Sequence, residues 1–191
     1  MEKKSITYVS GNAGKIKELQ RLNNDYINFC YTDLDIIEIQ GTAEEIAIAK
    51  CKAAFNEVTS PVLIEDSSLY FDSLNGLPGP YIKDFMKKLD LCSLARLGDT
   101  KYGNTTARAQ CIYAYTDSTR TDPILFVGVT FGKIVYPRYT CDNPFGWDPI
   151  FQMNGHSRTY AEMTRKNDYS DRGIAFNKFK IFIESKKDYL N

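Results

Sequence analysis

Between Ser5 and Ile64 the chain switches repeatedly between two hydrophobic periods, and this alternation constrains its folding more than any other feature. Ser5 to Val9 is a short β-favouring run ending at the polar turn Ser10-Gly11-Asn12. Beyond it Ile16, Leu19 and Leu22 recur at the spacing of a helix face. Ile27 to Tyr31 is a second β-like run, leading into a loop with Asp33, Asp35 and Glu38. Gly41-Thr42 then opens a helix, with Thr42 as N-cap and Glu45 completing a capping box. The spacing predicts that this helix ends near Val58 and carries Ile48, Cys51, Phe55 and Val58 on one face. Pro61 to Ile64 follows as a buried strand.

The second half reads less regularly. Leu69 to Leu74 alternates, Gly76-Leu77-Pro78-Gly79-Pro80 breaks the pattern, and Tyr81 to Leu89 is helical in spacing. Two β runs, Thr105 to Tyr115 and Ile124 to Val135, are separated by a polar turn and predict an antiparallel hairpin. A long loop from Tyr136 to Pro149 holds the only tryptophan, and an amphipathic helix from about Ser170 carries Phe176, Phe179 and Ile183. There is no repeat, low-complexity tract or clear linker. At 191 residues and 43% apolar content, one domain spanning 1–191 is expected, with room for two lobes.

Charge and composition exclude several function classes. Lys plus Arg equals Asp plus Glu at 24 each, so no net field gathers DNA, RNA or an anionic membrane. An anionic ligand must therefore be held by local charge. Five cysteines at 30, 51, 92, 111 and 141 form no Cys-x-x-Cys pair, which suggests neither a zinc site nor a disulfide framework and fits a reducing cytosol. The charged N-terminus lacks an apolar signal region, and no stretch reaches the ~18 apolar residues that span a bilayer. The reading is a soluble, cytoplasmic protein. A single histidine, His156, in a polar loop leaves carboxylates and lysines to carry any chemistry.

Five constellations could do so, each with a plainer alternative. Ser10, Gly11, Asn12, Ala13, Gly14 and Lys15 form a strand-to-helix turn whose free N–H groups, helix dipole and lysine would suit a phosphate; it could equally be a polar turn with a solvated lysine. Glu65-Asp66 directly follows an apolar strand, with Glu38 in an earlier loop, and strand-end carboxylates can gather Mg²⁺ or merely solubilise the strand. Lys50 lies between Ala47 and Ala54 on its helix face, where small neighbours would let a phosphate approach, although most helix lysines are only solvated. Phe145-Gly146-Trp147-Asp148-Pro149 could stack on a base and accept from its N–H edge, or could anchor a loop in the core. Lys166-Asn167 and Ser170-Asp171-Arg172 place polar groups at the positive end of the last helix, where Ser170 and Asp171 could also serve only as caps.

In this order, Ser-Gly-Asn-x-x-Lys at 10–15, Glu65-Asp66-Ser67, Gly-Leu-Pro-Gly-Pro-Tyr at 76–81, Phe-Gly-Trp-Asp-Pro at 145–149 and Tyr160-Ala161-Glu162-Met163 resemble the inosine triphosphate pyrophosphatase family over almost the whole chain. The resemblance implies an α/β fold with a long, curved mixed sheet and flanking helices, two lobes around a central cleft, and a homodimer. It implies hydrolysis of ITP, dITP and XTP to monophosphate and pyrophosphate with magnesium, manganese standing in. The 10–15 turn and Lys50 would bind phosphates, and Glu38 and Asp66 would serve the metal. Asp66, or Glu65 beside it, would orient or deprotonate the water. Phe145, Gly146, Trp147 and Asp148 would form the base pocket with Lys166, Asp171 and Arg172, and Ser67 belongs to the substrate-binding set. The chain departs from the family pattern at Asp171, where the family reads histidine, and in a shortened stretch from Met163 to Ser170. Both changes touch base selection and leave the phosphate chemistry alone. The rivals are a Maf-like nucleotide pyrophosphatase with another base preference and a catalytically weakened nucleotide-binding protein.

Overall fold

The computed structural model describes residues 4–22, 27–99, 103–138 and 145–186. Its elements run β1 (Lys4–Val9), α1 (Ala13–Leu22), β2 (Ile27–Thr32), α2 (Ala43–Val58), β3 (Val62–Phe71), β4 (Pro78–Gly79), α3 (Ile82–Lys88), α4 (Leu91–Gly98), β5 (Thr106–Thr116), β6 (Ile124–Ile134), β7 (Phe151–Met153) and α5 (Asp171–Ser185). The described strands form one open sheet in the order β2-β1-β3-β5-β6-β7, with β4 on β3. It is mixed: β1 runs parallel to β2 and β3, whereas β3/β4 and β6/β7 are antiparallel. This is the α/β class with a mixed sheet and flanking helices that the motif pattern implied.

The chain divides into two compact units, one of residues 1–66, 111–128 and 173–191, the other of 67–110 and 129–172. Strands β3, β5 and β6 supply residues to both. The first unit has two cores. In one, Ile6, Tyr8, Leu63, Tyr113 and Tyr115 meet Phe176, Phe179 and Ile183 of α5. In the other, Val9, Val62, Ile64, Ile112 and Ala114 meet Ala43, Ala47, Cys51 and Ala54 of α2. The second unit packs Leu69, Phe71, Leu94, Ile134, Trp147, Ile150, Phe151 and Tyr160 together. Burial on this scale contributes roughly 25 cal/mol per Å² of apolar surface and holds each unit together.

Several expectations need correcting. The buried stripe of α2 is Ala43, Ala47, Cys51 and Ala54 with Ile46, while Ile48 is only half-buried. Alanines carry the stripe because the helix lies close against the sheet, and their small volume permits it. Glu65 and Asp66 do not follow a finished strand; they lie inside the ten-residue β3. Polar residues persist there because their partners come from neighbouring elements. Helix α4 and strand β7 give no sequence signal as strong as the longer elements, both being short. The capping box of α2 is present, with Thr42 Oγ1 accepting from Glu45 N–H and Thr42 N–H donating to Glu45 Oε2 at 2.8 Å. Cys141, Pro144 and the rest of residues 139–144 of the long loop lie outside the described residues. No helix among the described residues is long and apolar enough to cross a membrane.

Candidate active site

Three segments of the first unit reach one level of the sheet. Val9, the last residue of β1, pairs with Thr32 of β2 on one side and Ile64 of β3 on the other. The residues that follow are Ser10, Asp33 and Glu65. Since β2 and β3 flank β1 and all three are parallel, this is the carboxyl end of the strands at a reversal of strand order, where α/β sheets bind ligands. Glu65-Asp66 thus stands at the end of its pairing with β1 even though β3 itself continues.

The turn after β1 is built by Asn12, whose Oδ1 accepts from the N–H groups of Gly14 and Lys15 at 2.9 and 3.2 Å. Those two amides, expected to face a phosphate, are taken up by the side-chain cap. Ser10 Oγ accepts from Asn12 N–H at 3.2 Å. A Cβ at Gly11 would meet the Asp33 carboxylate, so a larger residue there would push that exposed side chain aside. Ala13 begins α1. From the first turn of that helix, Lys15 Nζ donates to the backbone carbonyl of Glu65 at 2.8 Å and stands 3.5 Å from Glu65 Oε1 and 3.9 Å from Asp66 Oδ1.

Lys50, reaching from α2, donates to Asp66 Oδ1 at 2.7 Å and to Glu38 Oε1 at 3.1 Å. Burial works against its charge, but the carboxylates of Asp66 and Glu38 outweigh burial and hold its pKa above the ordinary lysine value. Asp66 Oδ2 is buried and makes no hydrogen bond among the described residues. Glu38, Glu65 and Asp66 thus face the ammonium groups of Lys15 and Lys50. An unpaired buried carboxylate oxygen is costly without a ligand. Among the described residues no three His, Cys, Asp or Glu side chains converge into a ready-made metal cage. Glu38 and Asp66 are the carboxylates that could hold a hard cation here, the buried Asp66 Oδ2 being open to one, with substrate oxygens completing its shell.

The second unit contains a different polar cluster. Lys166 Nζ and Asp148 Oδ2 are 2.6 Å apart and both residues are buried. Asp171 is buried as well, and its Oδ1 accepts from the Tyr160 hydroxyl at 3.2 Å. It therefore does not point to solvent as a simple cap would. Burial raises its carboxyl to about 6 against the lowering effects of Arg172, Lys166 and the Tyr160 hydroxyl. The phenol of Tyr160 is itself pushed far up, by burial first and by Asp171 next. Arg172 donates to Ser67 Oγ at 3.1 Å, and its guanidinium lies 5.2 Å from the centre of the Phe145 ring. Lys166 Nζ lies 5.3 Å from the same ring. Trp147 is buried, stacked on Tyr160 and edge-on to Phe151, which places it in the core. Gly146, with φ of +54°, makes the left-handed turn between the two rings.

The sequence missed the hydroxyls that tie this chemistry down. Tyr8 and Tyr113 both donate to Glu65 Oε2, at 3.1 and 3.2 Å. In an apolar β run a tyrosine reads as core, and the only hint was a polar tip on an inward position. His156, read as a loop residue, lies beside the Tyr169 ring with centroids 5.7 Å apart.

An open α/β sheet with a carboxylate–ammonium centre at the ends of its parallel strands is the class of protein that fold and site define. Comparison with known proteins narrows it. The chain belongs to the Ham1 family, whose sequence profile matches residues 6–182. It is 40% identical over 186 residues to the inosine triphosphate pyrophosphatase of Schizosaccharomyces pombe, covering 96% of this chain and 97% of that one. It is 45% identical over 175 residues to the inosine triphosphate pyrophosphatase of Chaetomium globosum, with 91% and 89% covered. Among solved structures it is similar to a HAM1 protein from Coxiella burnetii, with TM-score 0.80, 28% identity and 95% and 99% coverage. The Ham1 protein of Staphylococcus aureus gives TM-score 0.75 at 28% identity, with 96% and 100% covered. These likenesses do not favour the Maf-like alternative.

Proposed function

We propose that the chain hydrolyses non-standard purine nucleoside triphosphates, ITP, dITP and XTP, to the monophosphate and pyrophosphate. Asp66 is the observation that carries this reading. One of its oxygens is tied to Lys50, and the other is buried, unpartnered and placed at the carboxyl ends of the parallel strands. Such a group can take a proton from a water or a contact from a cation without first breaking a bond within the protein. The inosine triphosphate pyrophosphatase names of the fungal relatives support the same substrate class.

In this reading Lys15 and Lys50 exchange part of their carboxylate contacts for phosphate oxygens and so align the triphosphate. Asp66 orients the attacking water and accepts its proton. The water oxygen bonds to the α-phosphorus, the bond from that phosphorus to the bridging oxygen breaks, and pyrophosphate leaves. A magnesium ion held by Glu38 and Asp66 would supply charge neutralisation on the phosphates. Positioning and electrostatics suffice for this chemistry, which matches a chain with one histidine remote in type from the site. Phe145, Asp148, Lys166, Asp171 and Arg172 would receive the base, with Trp147 supporting them from the core. The proposal includes a homodimer in the cytosol, where the described cysteines, Cys30, Cys51, Cys92 and Cys111, would stay free thiols.

A pyrophosphate-release assay over ITP, XTP, GTP, ATP and their deoxy forms tests the reading. Pyrophosphate from ITP or XTP well above that from ATP is expected. Orthophosphate as the first product would overturn it.

A further inference from the structure

Glu65 and Asp66 are adjacent carboxylates, and either could serve the water. Their environments separate them. Successive residues of a strand point to opposite faces, so two neighbours on β3 cannot share one set of partners. Glu65 turns into the first core, where it is 4% exposed and where Tyr8 and Tyr113 are wholly buried. In the sheet order, β3 lies between β1, which carries Tyr8, and β5, which carries Tyr113. The two hydroxyls therefore reach one oxygen, Oε2, from neighbouring strands on either side. The remaining oxygen, Oε1, faces Lys15, which is also bonded to the Glu65 carbonyl. The tyrosine rings are fixed in turn, Tyr8 edge-on to Tyr31 and Tyr113 edge-on to Phe176.

We propose that Tyr8 and Tyr113 form a paired hydroxyl clamp that makes Glu65 a positioning residue for Lys15, leaving Asp66 as the carboxylate that handles the attacking water. Both Glu65 oxygens are thus engaged, Oε2 by the two hydroxyls and Oε1 by Lys15. Asp66 Oδ2, on the opposite face of β3, has no hydrogen-bond partner among the described residues. Lys15, held to Glu65 at both its carbonyl and its carboxylate, is fixed at the first turn of α1 before any phosphate arrives, and this lowers the ordering cost of binding. The inference rests on the hydrolase reading for its catalytic half and on geometry alone for its binding half.

The test uses Tyr8→Phe, Tyr113→Phe, the double variant and Glu65→Gln in the full chain. Phenylalanine keeps the rings and removes only the donors. Four readouts are taken: KM and kcat for ITP, the acid limb of the kcat–pH profile, calorimetric Kd for inorganic tripolyphosphate, and Tm. Each single tyrosine variant is expected to raise KM and the tripolyphosphate Kd about threefold to tenfold, the scale of one displaced hydrogen bond. The double variant should raise them further, with kcat within about twofold and the acid limb in place. An acid limb displaced upward by about one pH unit would show that the base itself had lost its stabilising donors, making Glu65 the base and overturning the proposal. A kcat loss of about a hundredfold or more in Glu65→Gln would do the same. Unchanged KM and Kd in both single variants would reduce the hydroxyls to core polar groups and also overturn it. Should the double variant fail to fold, the single variants decide. If wild type binds tripolyphosphate, loses affinity in the variants and yet releases no pyrophosphate from any triphosphate, the hydrolase reading fails while the clamp stands.

Discussion

The two polar clusters are built on opposite terms. In the first unit, Lys50 bridges Glu38 and Asp66 with side chains 16%, 42% and 19% exposed, and one carboxylate oxygen is left over. In the second, Lys166 and Asp148 pair at 2.6 Å out of solvent, and aromatic rings surround their charges. Lys50 is shared between two carboxylates, so it can give up the half-exposed Glu38 for another anion while keeping Asp66. A buried pair cannot, since breaking it strands a charge. The first cluster is thus suited to a ligand that brings charge, and the second to holding a fixed pattern of donors and acceptors.

The sharpest way to break the comparison is to chelate divalent cations. Treatment with EDTA should abolish pyrophosphate release, and added Mg²⁺ should restore it; activity that survives chelation would mean that the buried Asp66 Oδ2 serves another purpose. Asp66→Asn comes next, with kcat expected to fall at least ~10²-fold while circular dichroism and Tm stay near wild type. Near-normal turnover in the folded variant would place Asp66 outside the chemistry. Lys50→Met should mainly raise KM, by about tenfold, as expected for a contact made in ground and transition states alike.

Two measurements on Asp171 probe the second cluster. Asp171→His is expected to raise the ITP to ATP ratio of kcat/KM by about tenfold, because a histidine donor can reward a 6-oxo group whereas an ionised carboxylate only accepts. An unchanged ratio would confine Asp171 to holding Tyr160. The smallest effect is on stability. The folded carboxyl titrates near 6, above its ordinary value, so its favourable contribution is whole below about pH 4 and is lost as pH rises through 6. Against Asp171→Asn, which cannot ionise, wild type should therefore lose relative stability from pH 4 to pH 7, by up to about 3 kcal/mol. Thermal melts across that range check it, and a pH-independent difference would place the carboxylate in a better solvated setting.

Much of this was legible along the chain. The β run before Ser10, the capping box at Thr42 and the aromatic stripe of Phe176, Phe179 and Ile183 are local patterns, and each produced its element because hydrophobic period and backbone capping act within a few residues. The motif order from Ser10 to Met163 sufficed to imply the family. What stayed hidden was set by contacts between residues distant in sequence. Glu65 lies 57 residues from Tyr8 and 48 from Tyr113, and only the pairing of β3 with its neighbours brings the hydroxyls to it. The same holds for Trp147, whose burial in the second unit's core depends on Phe151 and Tyr160 packing against it. By itself the sequence determined which segments are strands or helices and which side chains carry charge, because those properties are local. Which carboxylate is clamped and which is left with an unpartnered oxygen was decided by the tertiary structure, because that depends on which donors packing delivers to a buried atom.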